Sequence, residues 1–216
     1  MADPTVEQRL LRLEQENQAL RQEVERLRVE NRRWARLAGT DALTGLPNKI
    51  SFLRALAPQA VKAVAQTQKT IGFILLSADN LGPINETQGR IAGDQVLKGL
   101  GEFLKALLSE DLTLGHLDGS HFAIAMPEAN LEDVRARANM LRARIRSHAF
   151  PCGESLAKIT ASAGIISLIP AQNADEKKWL ETVFDHLNEA LYKAKSSGGN
   201  QVQAATNIEN QEEEKP

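Results

Sequence analysis

From Val6 to Ala38 a single stripe of positions recurs at alternating steps of four and three residues. It runs Val6, Leu10, Leu13, Asn17, Leu20, Val24, Leu27, Asn31, Trp34, Ala38. That spacing is a heptad rhythm, and residues 5–38 contain no Gly or Pro to interrupt a helix. With Leu13, Leu20 and Leu27 at the d position, Leu10, Asn17, Val24 and Asn31 fall at a. Leu at d with Val at a favours two strands, and Asn at a fixes their register at some cost in stability. The flanks agree: Arg9 with Glu14, Glu16 with Arg21, and Glu23 with Arg28 oppose one another across a parallel pair. A helix lying on its own domain would show a broader apolar face. Residues 1–39 are therefore predicted to form a parallel coiled coil that makes the protein a homodimer. Its dimerisation seam is Leu10, Leu13, Asn17, Leu20, Val24, Leu27, Asn31 and Trp34, and Gly39 ends the helix.

Beyond Asp41 the rhythm changes. Ile50, Leu53, Leu56 and Val61 recur at helical spacing over 49–67. Residues 71–77 form a short apolar run suited to a buried strand. Val96, Leu97, Leu100, Phe103, Leu104 and Leu107 mark one face of a helix over 91–108. Two short strands, 112–117 and 121–126, flank Asp118-Gly119-Ser120, where Asp-Gly signals a hairpin. A helix over 131–148, a strand over 159–168, a helix over 178–195 and an edge strand near 201–203 complete the pattern. This order predicts an α+β fold, with helices packed on a mostly antiparallel sheet and preceded by the long coiled-coil helix. The domain spans 40–203, and the acidic tail 204–216 reads as disordered.

Composition narrows the function classes without choosing one. Of 216 residues 42% are hydrophobic, and the net charge is −2, so no overall field draws the chain to nucleic acid or anionic lipid. No apolar run approaches the length of a membrane span, and no export segment is visible, so a cytoplasmic protein is expected. Cys152 is the sole cysteine and cannot form an internal disulfide. Arg135, Arg137, Arg142, Arg144 and Arg146 crowd one helix, but a solvated face accounts for them better than phosphate contacts.

Several strings then resemble the GGDEF domain family, the bacterial diguanylate cyclases. These are Asp41-Ala-Leu-Thr-Gly-Leu-Pro-Asn48, the run from Ser77 through Asn85 and Gly89 to Asp94, Ser162-Ala-Gly-Ile165, and Ala190 through Lys195 to Asn200. The match covers about residues 40–203 at consistent spacings. The resemblance implies a sheet like that of nucleotide cyclases and polymerase palms. It also implies an activity that condenses two GTP molecules, one held by each half of a dimer, into cyclic di-GMP. In that chemistry Mg²⁺ offsets the charge on the leaving pyrophosphate and is held by carboxylates.

At the matching positions those carboxylates are replaced. The first-strand metal position is Ser77, and the signature reads Asp118-Gly119-Ser120-His121-Phe122. Ser is a neutral ligand and His suits softer metals, so the expectation is a chain that is not an enzyme, with no catalytic residue and no metal. A different metal site built from Asp79, Asp118 and His121 is the less favoured alternative to a turn residue and a surface histidine. Asn85 and Asp94 stand where the family reads guanine, and Lys195 matches a phosphate-contacting lysine, which leaves weak GTP binding as the one cofactor expectation. Gly82 in place of a family lysine, and Pro83, argue against it, and Asn85 and Asp94 also serve as cap and structural acceptor. The family's product-inhibition site has no counterpart in Ser109-Glu-Asp-Leu112, and Gly199 stands in place of its assisting arginine. The leading expectation is an inactive dimer acting as regulator or scaffold on an unidentified protein partner in cyclic di-GMP signalling. The alternatives are a purine-nucleotide sensor and a residual cyclase with altered metal use.

Overall fold

A computed structural model describes residues 13, 15–18, 20–27, 30, 39–170 and 175–206. The chain divides into two compact units, Met1–Thr40 and Asp41–Pro216.

In the first unit the described residues up to Gly39 are helical, and Gly39 directly precedes an extended Thr40. Leu13, Leu20, Val24 and Leu27 of the predicted seam stand 45–62% exposed, so a single chain leaves them uncovered. Asn17 is exposed beside them, while Leu10, Asn31 and Trp34 lie outside the described residues. Arg26 bridges Glu23 and Glu30 at 2.7 and 3.0 Å along the same helix. Glu23 thus has a partner within its own chain, at the i,i+3 spacing that brings helix side chains together.

The second unit is built around one strand. β1 (Ile71–Ala78) is buried along its whole length because both its faces are covered. Ile74 and Leu76 point to one side, where they meet α3 (Arg90–Leu107) through Val96, Leu97 and Leu100, and α4 (Leu131–Ser147) through Val134, Ala138 and Leu141. Phe73 and Leu75 point to the other. There they meet α5 (Glu176–Ser196) through Leu180, Phe184 and Leu187, together with Phe52 and Val61 of α1. Helix α1 comprises Lys49–Ser51, a π-helical turn Phe52–Leu56, and Ala57–Ala65. Each large apolar side chain so buried contributes about 1.5–3 kcal/mol.

The five-stranded sheet runs β2-β3-β1-β6-β7, with β2 at Thr113–Asp118, β3 at His121–Pro127, β6 at Ala161–Leu168 and β7 at Val202–Ala204. All pairings are antiparallel except β6 with β7. Ser77 lies opposite His121 on one side and Ser162 on the other. The α+β expectation holds.

Four local features differ from the sequence expectation. Helix α2 (Leu81–Gln88) forms despite Gly82 and Pro83, because Pro83 falls in the first turn, where a missing N–H leaves no bond unmade. A separate hairpin pairs β4 (Phe150–Cys152) with β5 (Ser155–Ala157), both too short to show a period. The signature turn is Gly119-Ser120, with Asp118 paired across to His121, and only Gly119 takes a positive φ, +47°. The ordered chain continues past 203, since the Ala205 N–H donates to the Ile165 carbonyl at 2.8 Å. Residues 207–216 of the predicted tail lie outside the described residues.

Candidate nucleotide site

The segment entering the domain winds around Asp41. Its Oδ1 accepts from the Thr44 N–H at 2.9 Å and the Thr44 hydroxyl at 2.8 Å, and Gly45 turns the chain with φ +68°. Burial pushes the Asp41 carboxyl up, but hydrogen bonding from His116 and Thr44 outweighs it and holds the group below its ordinary value. His116 is only 4% exposed and lies between this loop and the signature turn. Its Nε2 donates to the Gly119 carbonyl at 2.9 Å, its Nδ1 sits 2.8 Å from Asp41 Oδ1, and its ring stacks on Phe122. Sequence reasoning passed over His116, although a polar residue at an inward position of an apolar strand was the available signal.

At the turn, Asp118 Oδ1 meets His121 Nδ1 at 2.9 Å and Oδ2 meets Lys49 Nζ at 3.3 Å. Burial raises the Asp118 carboxyl, while His121 and Lys49 lower it further, so it stays ionised below the usual carboxylate range. Phe122, the last signature residue, is fully buried.

The end of β1 carries two adjacent but separate polar groups. Ser77 is wholly buried, and its Oγ lies 2.8 Å from Ser120 Oγ across the hairpin. Asp79 faces the other edge, accepting from Thr160 Oγ1 at 2.8 Å, Ser162 Oγ at 2.9 Å and the Asn200 N–H at 3.0 Å. It clamps β1 to β6 and to the Gly198-Gly199-Asn200 turn, which Arg142 holds from α4 through the Asn200 carbonyl and Oδ1. Asp79, Asp118 and His121 therefore serve two different networks. Among the described residues no group of three or more His, Cys, Asp and Glu side chains is placed to hold a metal.

The base-reading candidates come together. Helices α2 and α3 meet at Gly89, φ +83°, which sets Asn85 and Asp94 on one exposed edge. The Asn85 side chain lies over Gly93, in space that a Cβ there would occupy. The β4–β5 hairpin braces this edge: Cys152 Sγ donates to Gln88 Oε1 at 3.2 Å and the Gly153 N–H to Gln95 Oε1 at 2.6 Å. An Asn amide beside a carboxylate can pair with the donors and acceptors of a purine edge. Lys195 stands exposed in the last turn of α5, shortly before the Gly198–Asn200 turn.

The family described as "Diguanylate cyclase, GGDEF domain" matches residues 38–201. Diguanylate cyclase DgcP of Pseudomonas aeruginosa is 34% identical over 170 residues, 77% of this chain and 24% of that protein. The chain spans about half or less of the length of the curated relatives it matches. The coiled coil and GGDEF domain of DgcB from Caulobacter crescentus, solved with c-di-GMP, superposes with a TM-score of 0.73 at 26% identity, covering 89% of this chain and 99% of that one. Diguanylate cyclase SiaD of Pseudomonas aeruginosa, solved with its activator SiaC, gives 0.70 at 25% identity, covering 91% and 73%.

These findings correct one expectation. Ser77, Ser120 and His121 led to the prediction of a chain that is not an enzyme, but the matched family is described as a diguanylate cyclase and DgcP is named as one. The magnesium that the resemblance implies is a separate matter. Mg²⁺ takes hard, anionic oxygens, whereas the Ser77 and Ser120 hydroxyls are neutral and hydrogen-bonded to one another, so this donor set does not fit that ion.

Proposed function

The chain belongs to the GGDEF-domain family of diguanylate cyclases, and from that membership we propose that it is a homodimeric cyclic di-GMP signalling module. In this reading it holds guanine nucleotide on the Asn85–Asp94 edge and converts it slowly, with metal use altered from the family's. The observation that carries the reading is the packing of Asn85 over Gly93, which sets an amide beside the Asp94 carboxylate on an exposed, braced edge. The neutral Ser77–Ser120 pair supports the low rate, since compensating charge at the reacting phosphate is usually the largest catalytic contribution.

The coiled coil predicted over residues 1–39 is the dimerising element in this reading. Its uncovered Leu13, Leu20, Val24 and Leu27 support this. The likeness to the coiled coil and GGDEF domain of DgcB supports the same layout. The protein works in the cytoplasm, where GTP is supplied, and no helix among the described residues is long and apolar enough to cross a membrane. A regulatory partner protein also belongs to this reading, supported by the likeness to SiaD, which was solved with an activator. The test is chromatography of GTP incubated with the full chain. The reading expects slow cyclic di-GMP formation that disappears in Asp94→Ala, and it fails if the product forms equally in that variant.

A further inference from the structure

A cavity of about 440 Å³ opens behind the signature hairpin, on the sheet face opposite the nucleotide edge. Its floor is apolar, with Leu75 of β1 and Leu180 and Phe184 of α5 all belonging to the core layer between the sheet and helices α1 and α5. Asn85 and Asp94 belong to α2 and α3, and α3 packs on the other layer through Ala92, Val96 and Leu97. The cavity wall includes Leu117, Asp118 and His121, so the hairpin is shared between the two faces. A π-helical turn, Phe52–Leu56, carries Leu53 and Arg54 onto the rim, and such turns recur at functional sites.

The charges around the rim differ in how far they are committed. Asp118 is engaged on both oxygens by His121 and Lys49, and Lys177 faces Glu181 at 3.8 Å. Arg54 and Asp185 line the cavity without a hydrogen-bond or ion-pair partner among the described residues. The two are not equivalent. A guanidinium is weakly hydrated and offers planar paired donors, so it exchanges water for a ligand anion more readily than a carboxylate exchanges water for a cation. Arg54 can also lie flat against an aromatic ring.

We propose that this cavity binds a small aromatic organic anion, its ring body against Ile50, Leu53 and Leu117 over the apolar floor and its anionic head on Arg54. The volume lies in the range of small-molecule sites. An occupant would also touch Asp118 and His121 of the signature hairpin.

Anilinonaphthalene sulfonate, an aromatic ring system bearing one anionic group, is a suitable probe for the full-length chain. Fluorescence titration is expected to show one saturable site per chain. Arg54→Ala should weaken it by about tenfold, Leu53→Trp should fill the cavity and abolish it, and Asp185→Asn should tighten it. Asn85→Ala should leave it unchanged. Absence of saturable binding, or equal affinity in Arg54→Ala and the unmodified chain, overturns the proposal. Weaker binding in Asp185→Asn overturns the anionic assignment. Arg54 is exposed, so its replacement remains a valid test even if Leu53→Trp does not fold.

Discussion

The hydroxyls of Ser77 and Ser120 lie 2.8 Å apart where the central strand meets the signature hairpin. One donates and the other accepts, and the Ala78 N–H donates to the Ser120 carbonyl at 3.1 Å beside them, so the junction is closed by neutral groups. Introducing charge there should change both rate and stability. Ser77→Asp combined with Ser120→Glu is expected to raise the rate of cyclic di-GMP formation in magnesium by at least about tenfold. The same variant should melt lower in chelator and recover when magnesium is added, because a buried carboxylate pair needs a counter-charge. Thermal melts with and without the ion, beside product chromatography, check both outcomes.

Gly93 should separate binding from stability. A Cβ at this position would collide with the Asn85 amide oxygen, the end of an exposed side chain that can swing away. Gly93→Ala is therefore expected to weaken GTP binding by about tenfold while changing stability little, since alanine gains about 0.5–1 kcal/mol in a helix interior. Calorimetric titration and denaturant melts on the same preparation read the two effects apart.

Gly164 offers the opposite case. A Cβ there would run into the Leu187 carbonyl and come within 2.8 Å of the Leu191 nitrogen, both of them α5 backbone. Backbone cannot rotate out of the way, so Gly164→Ala should destabilise the domain by about 1–3 kcal/mol. Urea denaturation measures it.

Asp41 predicts part of the acid response. Its carboxyl is held below its ordinary value, so between the two values the unfolded chain binds more protons than the folded one. The stabilisation is then fully present above roughly pH 4 and lost as pH falls through the folded value. Asp41→Asn is expected to lower stability at neutral pH by about 1–3 kcal/mol and to flatten the decline below pH 4. Denaturation followed from neutral to acid pH in both proteins reads the slope.

The N-terminal helix should set the oligomeric state. Leu20→Asp places a charge in the middle of the predicted seam, whose cost in a coiled-coil core exceeds any gain at the flanks. Sedimentation equilibrium is expected to show a dimer for the unmodified chain and a monomer for the variant.

Much of the fold was legible because burial leaves a periodic trace. The apolar run at 71–77 became the central strand, and the helical stripes at 91–108, 131–148 and 178–195 became α3, α4 and α5 within a few residues. What escaped had no such trace. Helix α2 buries no residue and contains two apparent breakers, and the β4–β5 hairpin offers three residues a side. Of the candidate site, Asn85 and Asp94 were named from resemblance, and the bend at Gly89 sets them on one edge. The roles of His116 and Asp79 could not be read, because both act across the fold: His116 reaches Asp41 and Gly119, and Asp79 reaches Thr160, Ser162 and Asn200. Spacing along the chain carries no record of those contacts.

The central claim is that the Asn85–Asp94 edge holds guanine nucleotide, and calorimetric titration of the full chain with GTP tests it most directly. The account predicts saturable binding that is lost in Asn85→Ala and in Asp94→Ala while both variants keep the melting temperature of the unmodified chain. Titration without saturable heat, or binding that persists unchanged in both variants, would contradict it.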